Sequence, residues 1–339
     1  GDGTNYLSVR GDEYKRLTPV YDWMKIPGAT IVQLDKMPGE NEIQKWGLTD
    51  YVGAVTDGTY GAVGFDFKSP HTGLAAKKAW FFFDKTYVCL GTDISSRMKN
   101  QVLTTVNQCL LNGEVTVSDA DGIHPQEQGS RMKKEVRWVV HDKVGYYFLN
   151  KENVILSNQR TEGSWKIANR QTTTPTDIIQ QDVFTLSVDH GSYPNNEGYA
   201  YMVVPSADPL SIEKQVEEEG VVVLANCPDV QAVRHDGLNM AYAAFYKGGT
   251  LRVHDKIVVE MDAPGMLMVK YNDAGEILTL GVSDPTRFMK KLHLSVNQRI
   301  VGTAQENIQT EWDGKQALTR ITVELPQNEY AGKSVIYNK

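Results

Sequence analysis

The side chains in this sequence that can do acid, base or ligand chemistry are scattered rather than clustered. The seven histidines are His71, His124, His141, His190, His235, His254 and His293. No two stand at i, i+2 or i, i+4, the spacings that put a pair on one face of a strand or helix. His141-Asp142, His190-Gly191, His235-Asp236 and His254-Asp255 follow or flank strand-like runs. Such a histidine can be a general base or a ligand oriented by a carboxylate. The simpler reading is a strand-end histidine bonded to backbone, because the next residue along a strand points to the opposite face. His141 and His190 are the candidate substrate-binding histidines. No G-x-S-x-G, H-E-x-x-H, P-loop or dinucleotide motif occurs, and Gly58-Thr59-Tyr60-Gly61 and Gly248-Gly249 read as turn glycines. No catalytic residue and no metal ligand is assigned. No cofactor is expected, while a structural divalent cation held by distant strands stays open.

Six tryptophans, Trp23, Trp46, Trp80, Trp138, Trp165 and Trp312, offer flat apolar faces on which sugar rings stack. Trp80 and Trp138 lie in apolar runs and belong to a core. Trp46 sits in a polar loop beside Gly47 and is the candidate for an exposed sugar contact. Cys89, Cys109 and Cys227 form no CxxC pair and read as buried thiols with at most one disulfide. Glu217–Glu219 reads as the solvated face of a short helix.

The elements that must position these groups are strands. Lys77–Ser96 holds two apolar runs, Ala79–Phe83 and Tyr87–Leu90, separated by Asp84-Lys85-Thr86, a hairpin apolar on both faces and expected inside a layered sheet. Strand-like segments recur at intervals of roughly ten residues with turn residues between, the rhythm of an antiparallel sandwich. Residues 4–10 read as a strand, 18–30 as an ordered Pro/Gly loop lying on the sheet, and 118–134 as a long exposed loop. Val154–Ser157 and Gly163–Ala168 read as two strands. The single credible helix follows Ser211 and stops at Gly220. Beyond Lys247-Gly248-Gly249-Thr250 the strands Ile257–Met261, Met266–Tyr271, Ile277–Val282, Leu292–Val296 and Leu318–Leu325 make a second, smaller sandwich. The expected fold is all-β, with domains at 1–252 and 253–339.

At 339 residues the chain can bury a large core. Its 41% apolar and 23% charged residues are ordinary for a globular protein. A net charge of −7 argues against general nucleic-acid binding, yet a local basic groove can still serve an acidic polymer. No apolar run approaches the length of a membrane span, so no membrane partner is expected. The chain opens directly into Gly1-Asp2-Gly3-Thr4 without Met or signal peptide. It is therefore expected to be a piece of a longer protein whose localisation signals lie on the missing part.

Five segments resemble, in order, the β region of polysaccharide lyase family 8, the hyaluronate and chondroitin lyases. These are Gly1-Asp2-Gly3 to Tyr6-Leu7 with Ile26-Pro27-Gly28-Ala29-Thr30; Ala76–Asp84 with Cys89-Leu90-Gly91 and Ile94; Trp138–Asp142 with Gly145-Tyr146; Asp189-His190-Gly191 with Tyr199-Ala200-Tyr201 and Pro205; and Asp284-Pro285-Thr286. The heparinase II-like lyases are a second resemblance, made weaker because no histidine lies between residues 1 and 70 to serve their zinc site. The first resemblance implies a large antiparallel supersandwich, galactose mutarotase-like, followed by a small C-terminal β-sandwich. It implies a secreted or periplasmic parent enzyme that cleaves glycosaminoglycans by β-elimination. It also implies that the Asn, His, Tyr and Arg doing that chemistry belong to an N-terminal helical toroid whose positions this sequence does not include. The expected role is then a non-catalytic wall of the polymer cleft. A free-standing carbohydrate-binding or structural β protein is the alternative.

Overall fold

The computed structural model describes residues 3–339 apart from 40, 41, 43, 45 and 301–304. Gly1 and Asp2 of the family-like opening therefore lie outside the described residues. In chain order the strands are β1 (Thr30–Val32), β2 (Val52–Thr56), β3 (Gly61–Lys68), β4 (Ala75–Phe82), β5 (Tyr87–Ser95), β6 (Gln101–Leu110), β7 (Val115–Asp119), β8 (Gly122–Pro125), β9 (Gly129–His141), β10 (Val144–Gly163), β11 (Ile179–Ser192) and β12 (Glu197–Pro205). After the helix α1 (Ile212–Glu219) come β13 (Val221–Cys227), β14 (Val230–His235), β15 (Met240–Phe245), β16 (Gly249–His254), β17 (Ile257–Met261), β18 (Gly265–Tyr271), β19 (Ile277–Ser283), β20 (Lys291–Val296), β21 (Ile308–Asp313), β22 (Leu318–Glu324) and β23 (Val335–Asn338). The all-β reading holds. The chain divides into two compact units, Gly1–Trp46, Lys68–Ala75 and Ile94–Ile212 in one, and Gly47–Phe67, Ala76–Asp93 and Glu213–Lys339 in the other.

In the first unit the antiparallel order β1-β6-β11-β10-β12 makes a sheet, with β9 pairing both β10 and β7, and β8 pairing β7. Three expectations are corrected here. Residues 118–134 are not a loop, because β8 and the first half of β9 occupy most of them. Their polar, mostly exposed side chains hid a ladder that backbone hydrogen bonds alone specify. Val154–Ser157 is part of β10, which runs unbroken for 20 residues, whereas Trp165–Ile167 is a 3-10 turn. Residues 4–10 join no sheet. The amides of Val9, Arg10 and Gly11 are instead spent on the Glu13 carboxylate, at 2.6, 2.6 and 2.9 Å. The Pro/Gly loop does lie on the sheet, where Leu17, Val20 and Tyr21 pack against Val183.

In the second unit β5-β4-β3-β2 form a meander beside two further sheets, β13-β14-β15-β18-β19-β23 and β16-β17-β20-β22-β21. The central strands β15 and β18 are buried on both faces, which explains their unbroken apolar sequences. Ala241, Ala243 and Phe245 face a core shared with Val259, Leu292 and Ile321. The opposite face meets β2 to β4: Tyr51 donates to Gly265 O at 3.3 Å and Phe81 lies 6.2 Å from the Tyr242 ring. At Gly64 an added Cβ would come within 2.8 Å of Met266 Sδ and 3.0 Å of Ala244 Cβ, so any larger residue would force this packing to shift. Helix α1 ends at Gly220, at φ +61. Among the described residues no helix is long and apolar enough to cross a membrane.

Candidate functional site

The hairpin between β9 and β10 carries His141 to its tip, and β6 brings Cys109 beneath it. The Asn112 amide donates to His141 Nε2 at 3.0 Å, so the neutral ring carries its proton on Nδ1, which faces Cys109 Sγ at 3.8 Å. The imidazole stacks on Phe184, with centroids 4.3 Å apart and planes inclined by 17°. His141 is 1% exposed. Burial lowers its pKa to about 4, helped by Arg10 and opposed by Asp142. Burial likewise pushes the Cys109 thiol up to about 12. A thiol–imidazole pair attacks a substrate only as an accessible thiolate. This pair is protonated on sulfur, neutral on the ring and enclosed, so it is a packed hydrogen-bonding couple.

His190 is also enclosed. Its Nε2 meets Thr104 Oγ1 at 2.8 Å, and that hydroxyl meets Thr30 Oγ1 at 2.8 Å, tying β11, β6 and β1 together. Next to it the β11–β6 register shifts between Asp189 and Ser192, Gly191 adopts φ +69, and the Asp189 carboxylate accepts from the Gly191 amide at 2.9 Å. Asp189-His190-Gly191 is thus a bulge motif, needing glycine for its positive φ. Asp284-Pro285-Thr286 is likewise a turn: buried Asp284 accepts from the amides of Thr286 and Met289, both at 2.8 Å.

Trp46 is 79% exposed, unlike Trp80 and Trp138, which are buried. The three candidate residues share the first unit but do not converge: the two histidines occupy separate interior networks, while Trp46 faces solvent. Sequence reasoning passed over two carboxyls. Burial opposes ionisation of Glu13, yet amides of its own loop and the Ser8 hydroxyl hold its pKa down at about 2. Glu152 stands at a register break in the β10–β9 ladder. Burial first, then Glu197, raises its pKa to about 7 against the amide of Ala200. In sequence it is one charge in Lys151-Glu152-Asn153, with nothing to mark it. In the second unit a depression of about 510 Å³ on the outer face of β17, β20, β22 and β21 presents Glu260, Asp262 and Glu311. Its Arg320 is paired with Asp313 at 2.9 Å. Among the described residues no group of three or more His, Cys, Asp or Glu is placed to hold a metal ion.

Comparison with known proteins defines the class. The super-sandwich domain of polysaccharide lyase family 8 matches residues 1–216, and that family's C-terminal beta-sandwich domain matches residues 222–293. The chain belongs to polysaccharide lyase family 8. It is 35% identical over 339 residues to Chondroitinase-AC of Pedobacter heparinus, covering 98% of this chain and 45% of that protein. It is 29% identical to a hyaluronate lyase of Thermasporomyces composti, covering 90% of this chain and 39% of that protein. A solved structure of chondroitinase AC lyase, determined with bound oligosaccharides, superposes with a TM-score of 0.85 at 35% identity, over 99% of this chain and 47% of that one. The chain spans about half the length, or less, of these relatives.

Proposed function

We propose that this chain is the β region of a lyase that breaks uronic-acid-containing polysaccharide by β-elimination, and that it forms one wall of the polymer cleft without supplying the reacting groups. The observation that carries the reading is the end-to-end match to Chondroitinase-AC, spanning 98% of this chain. The non-catalytic role is supported by the site geometry. Elimination requires a base at C5, neutralisation of the uronate carboxylate and an acid at the leaving oxygen, all within a few ångströms. Here the two candidate histidines are turned inward, each with a ring nitrogen engaged. Of the three candidates Trp46 is the substrate contact, offering an exposed indole for a sugar face; His141 and His190 are structural. The acidic polymer is the partner, and a polymer of that size places the enzyme outside the cell or in the periplasm.

The test is to incubate the chain with chondroitin sulfate and follow the ultraviolet absorbance of the unsaturated uronide. No product from this chain alone, together with weaker chondroitin sulfate binding by Trp46→Ala, is the expected result. Steady product formation would overturn the non-catalytic role, and unchanged binding by Trp46→Ala would remove Trp46 from the cleft.

A further inference from the structure

A second surface of the first unit has the chemistry of a sugar-binding groove. The Lys68–Ala75 loop, the β5–β6 turn and the β11–β12 turn enclose an open groove of about 870 Å³. Among the described residues, Lys68, Arg97, Ser95, Ser96, Tyr193 and Asn195 contribute to its wall and no carboxylate does. Among the described residues no ion pair uses Lys68 or Arg97. On a chain of net charge −7, two cations left free in one concavity make a local anion-attracting field.

The groove is held in shape by its own backbone. The Ser96 amide donates to Pro194 O at 2.9 Å, the Tyr193 amide to Met98 O at 3.2 Å, and the Asn196 amide to Ser95 Oγ at 3.0 Å. Ser96 Oγ accepts from the Met98 amide at 3.2 Å. Both serine hydroxyls are therefore fixed as acceptors while each keeps a proton to donate. Tyr193 sits at φ +53, a conformation costly for an aromatic residue, and the residue is 58% exposed. The turn thus holds an aromatic ring at the mouth of the groove instead of folding it inward. A ring for the apolar face of a pyranose, cations for its acidic substituent, and hydroxyls and an amide for its OH groups are the parts a charged sugar needs.

We infer that this groove is a binding subsite for an acidic oligosaccharide, with Lys68 and Arg97 on its carboxylate or sulfate groups and Tyr193 against a sugar face. The inference rests on the functional reading above, since it names where on the β region the same polymer would also be held. It is separable from that reading because it does not involve Trp46. The acidic face of the second unit, with Glu260, Asp262 and Glu311, would repel such a polymer and is not its site.

Calorimetric titration of the chain with a size-defined chondroitin sulfate oligosaccharide at low salt tests this, with a hyaluronan oligosaccharide of equal length and neutral dextran as further probes. The double variant Lys68→Gln/Arg97→Gln should bind chondroitin sulfate about tenfold more weakly or worse, a loss of roughly 1.4 kcal/mol. Tyr193→Asn, which keeps a residue tolerant of positive φ, should cost a few-fold, and dextran should not bind. Equal loss for both acidic sugars places the cations on the uronate, and a larger loss for chondroitin sulfate places them on sulfate. Circular dichroism confirms that the variants fold. Unchanged affinity in the double variant, with Trp46→Ala still weakening binding, overturns the groove and leaves the cleft-wall reading intact. No binding by the unaltered chain overturns both; binding that neither set of variants weakens overturns the groove and removes Trp46 from the cleft.

Discussion

Two regions of the first unit, the Cys109–His141 couple and the Lys68–Arg97–Tyr193 groove, invert what their residue types suggest. The first has a thiol against an imidazole, the composition of a nucleophile and its base. Yet it is sealed, with both ring nitrogens engaged and each group in its uncharged form. The second is drawn from three ordinary loops, yet its cations are exposed and, among the described residues, unpaired, and its serine hydroxyls keep a proton to donate. Accessible, unsatisfied hydrogen-bonding capacity therefore marks a binding surface better than reactive residue types do.

If the sealed couple is a packed core element, the heaviest loss comes from the ring beneath it. Phe184→Ala removes the fully buried ring under His141 and should cost about 3–5 kcal/mol, read as a large drop in calorimetric Tm. A shift of under a degree would show that the cluster is not core. Glu13→Gln, which leaves the amide cradle without its carboxylate, should cost about 1–3 kcal/mol at pH 7. The folded pKa of about 2 lies below the ordinary 4.5, so the carboxylate's contribution is whole above pH 4.5 and is lost as pH falls towards 2. Urea unfolding across that window should show the acid loss shrink in the variant.

His141→Gln should cost about 1–2 kcal/mol near neutrality through its buried hydrogen bonds. It should also flatten a second acid arm. The folded histidine, at about 4 against an ordinary 6.5, refuses a proton that the unfolded chain accepts, so stability declines as pH drops from 6.5 towards 4. Glu152 has the opposite sign. At about 7 against 4.5, the folded state keeps a proton that the unfolded chain releases, so stability declines as pH rises from 4.5 to 7. Glu152→Gln should therefore be more stable than the unaltered chain at pH 8, by about 1 kcal/mol or less, and an unchanged pH profile would contradict this. The smallest effect belongs to the open groove: Lys68→Gln/Arg97→Gln should leave unfolding free energy within about 0.5 kcal/mol, because neither side chain is tied to the core. A larger loss in urea unfolding would mean that the groove cations are structural, like the couple.

Much of the fold was legible because burial leaves a periodic trace. β17 appears where apolar residues alternate, at Ile257, Val259 and Met261, and the both-faces-apolar run of β4 and β5 marked strands covered on two sides. The polar first half of β9 and the exposed edge strand β21 left no such trace, since their pairing rests on backbone groups common to every residue. The family resemblance was legible for a related reason. Its motif residues are ones the backbone demands: Gly191 in a bulge, Asp284 in a turn, and Gly28, at φ +81 with Asn5 filling the space of a Cβ. Such residues report a fold rather than an activity.

The order of residues was enough to specify a layered antiparallel protein of a recognisable lyase type, because side-chain period and turn chemistry are local properties that each segment displays alone. Which polar groups are finished and which are still available was settled only by the folded chain. Whether His141 faces water or Phe184, and whether Lys68 meets Arg97 across a groove, depends on which distant strands and turns are brought together, and burial and hydrogen-bond satisfaction exist only once they are.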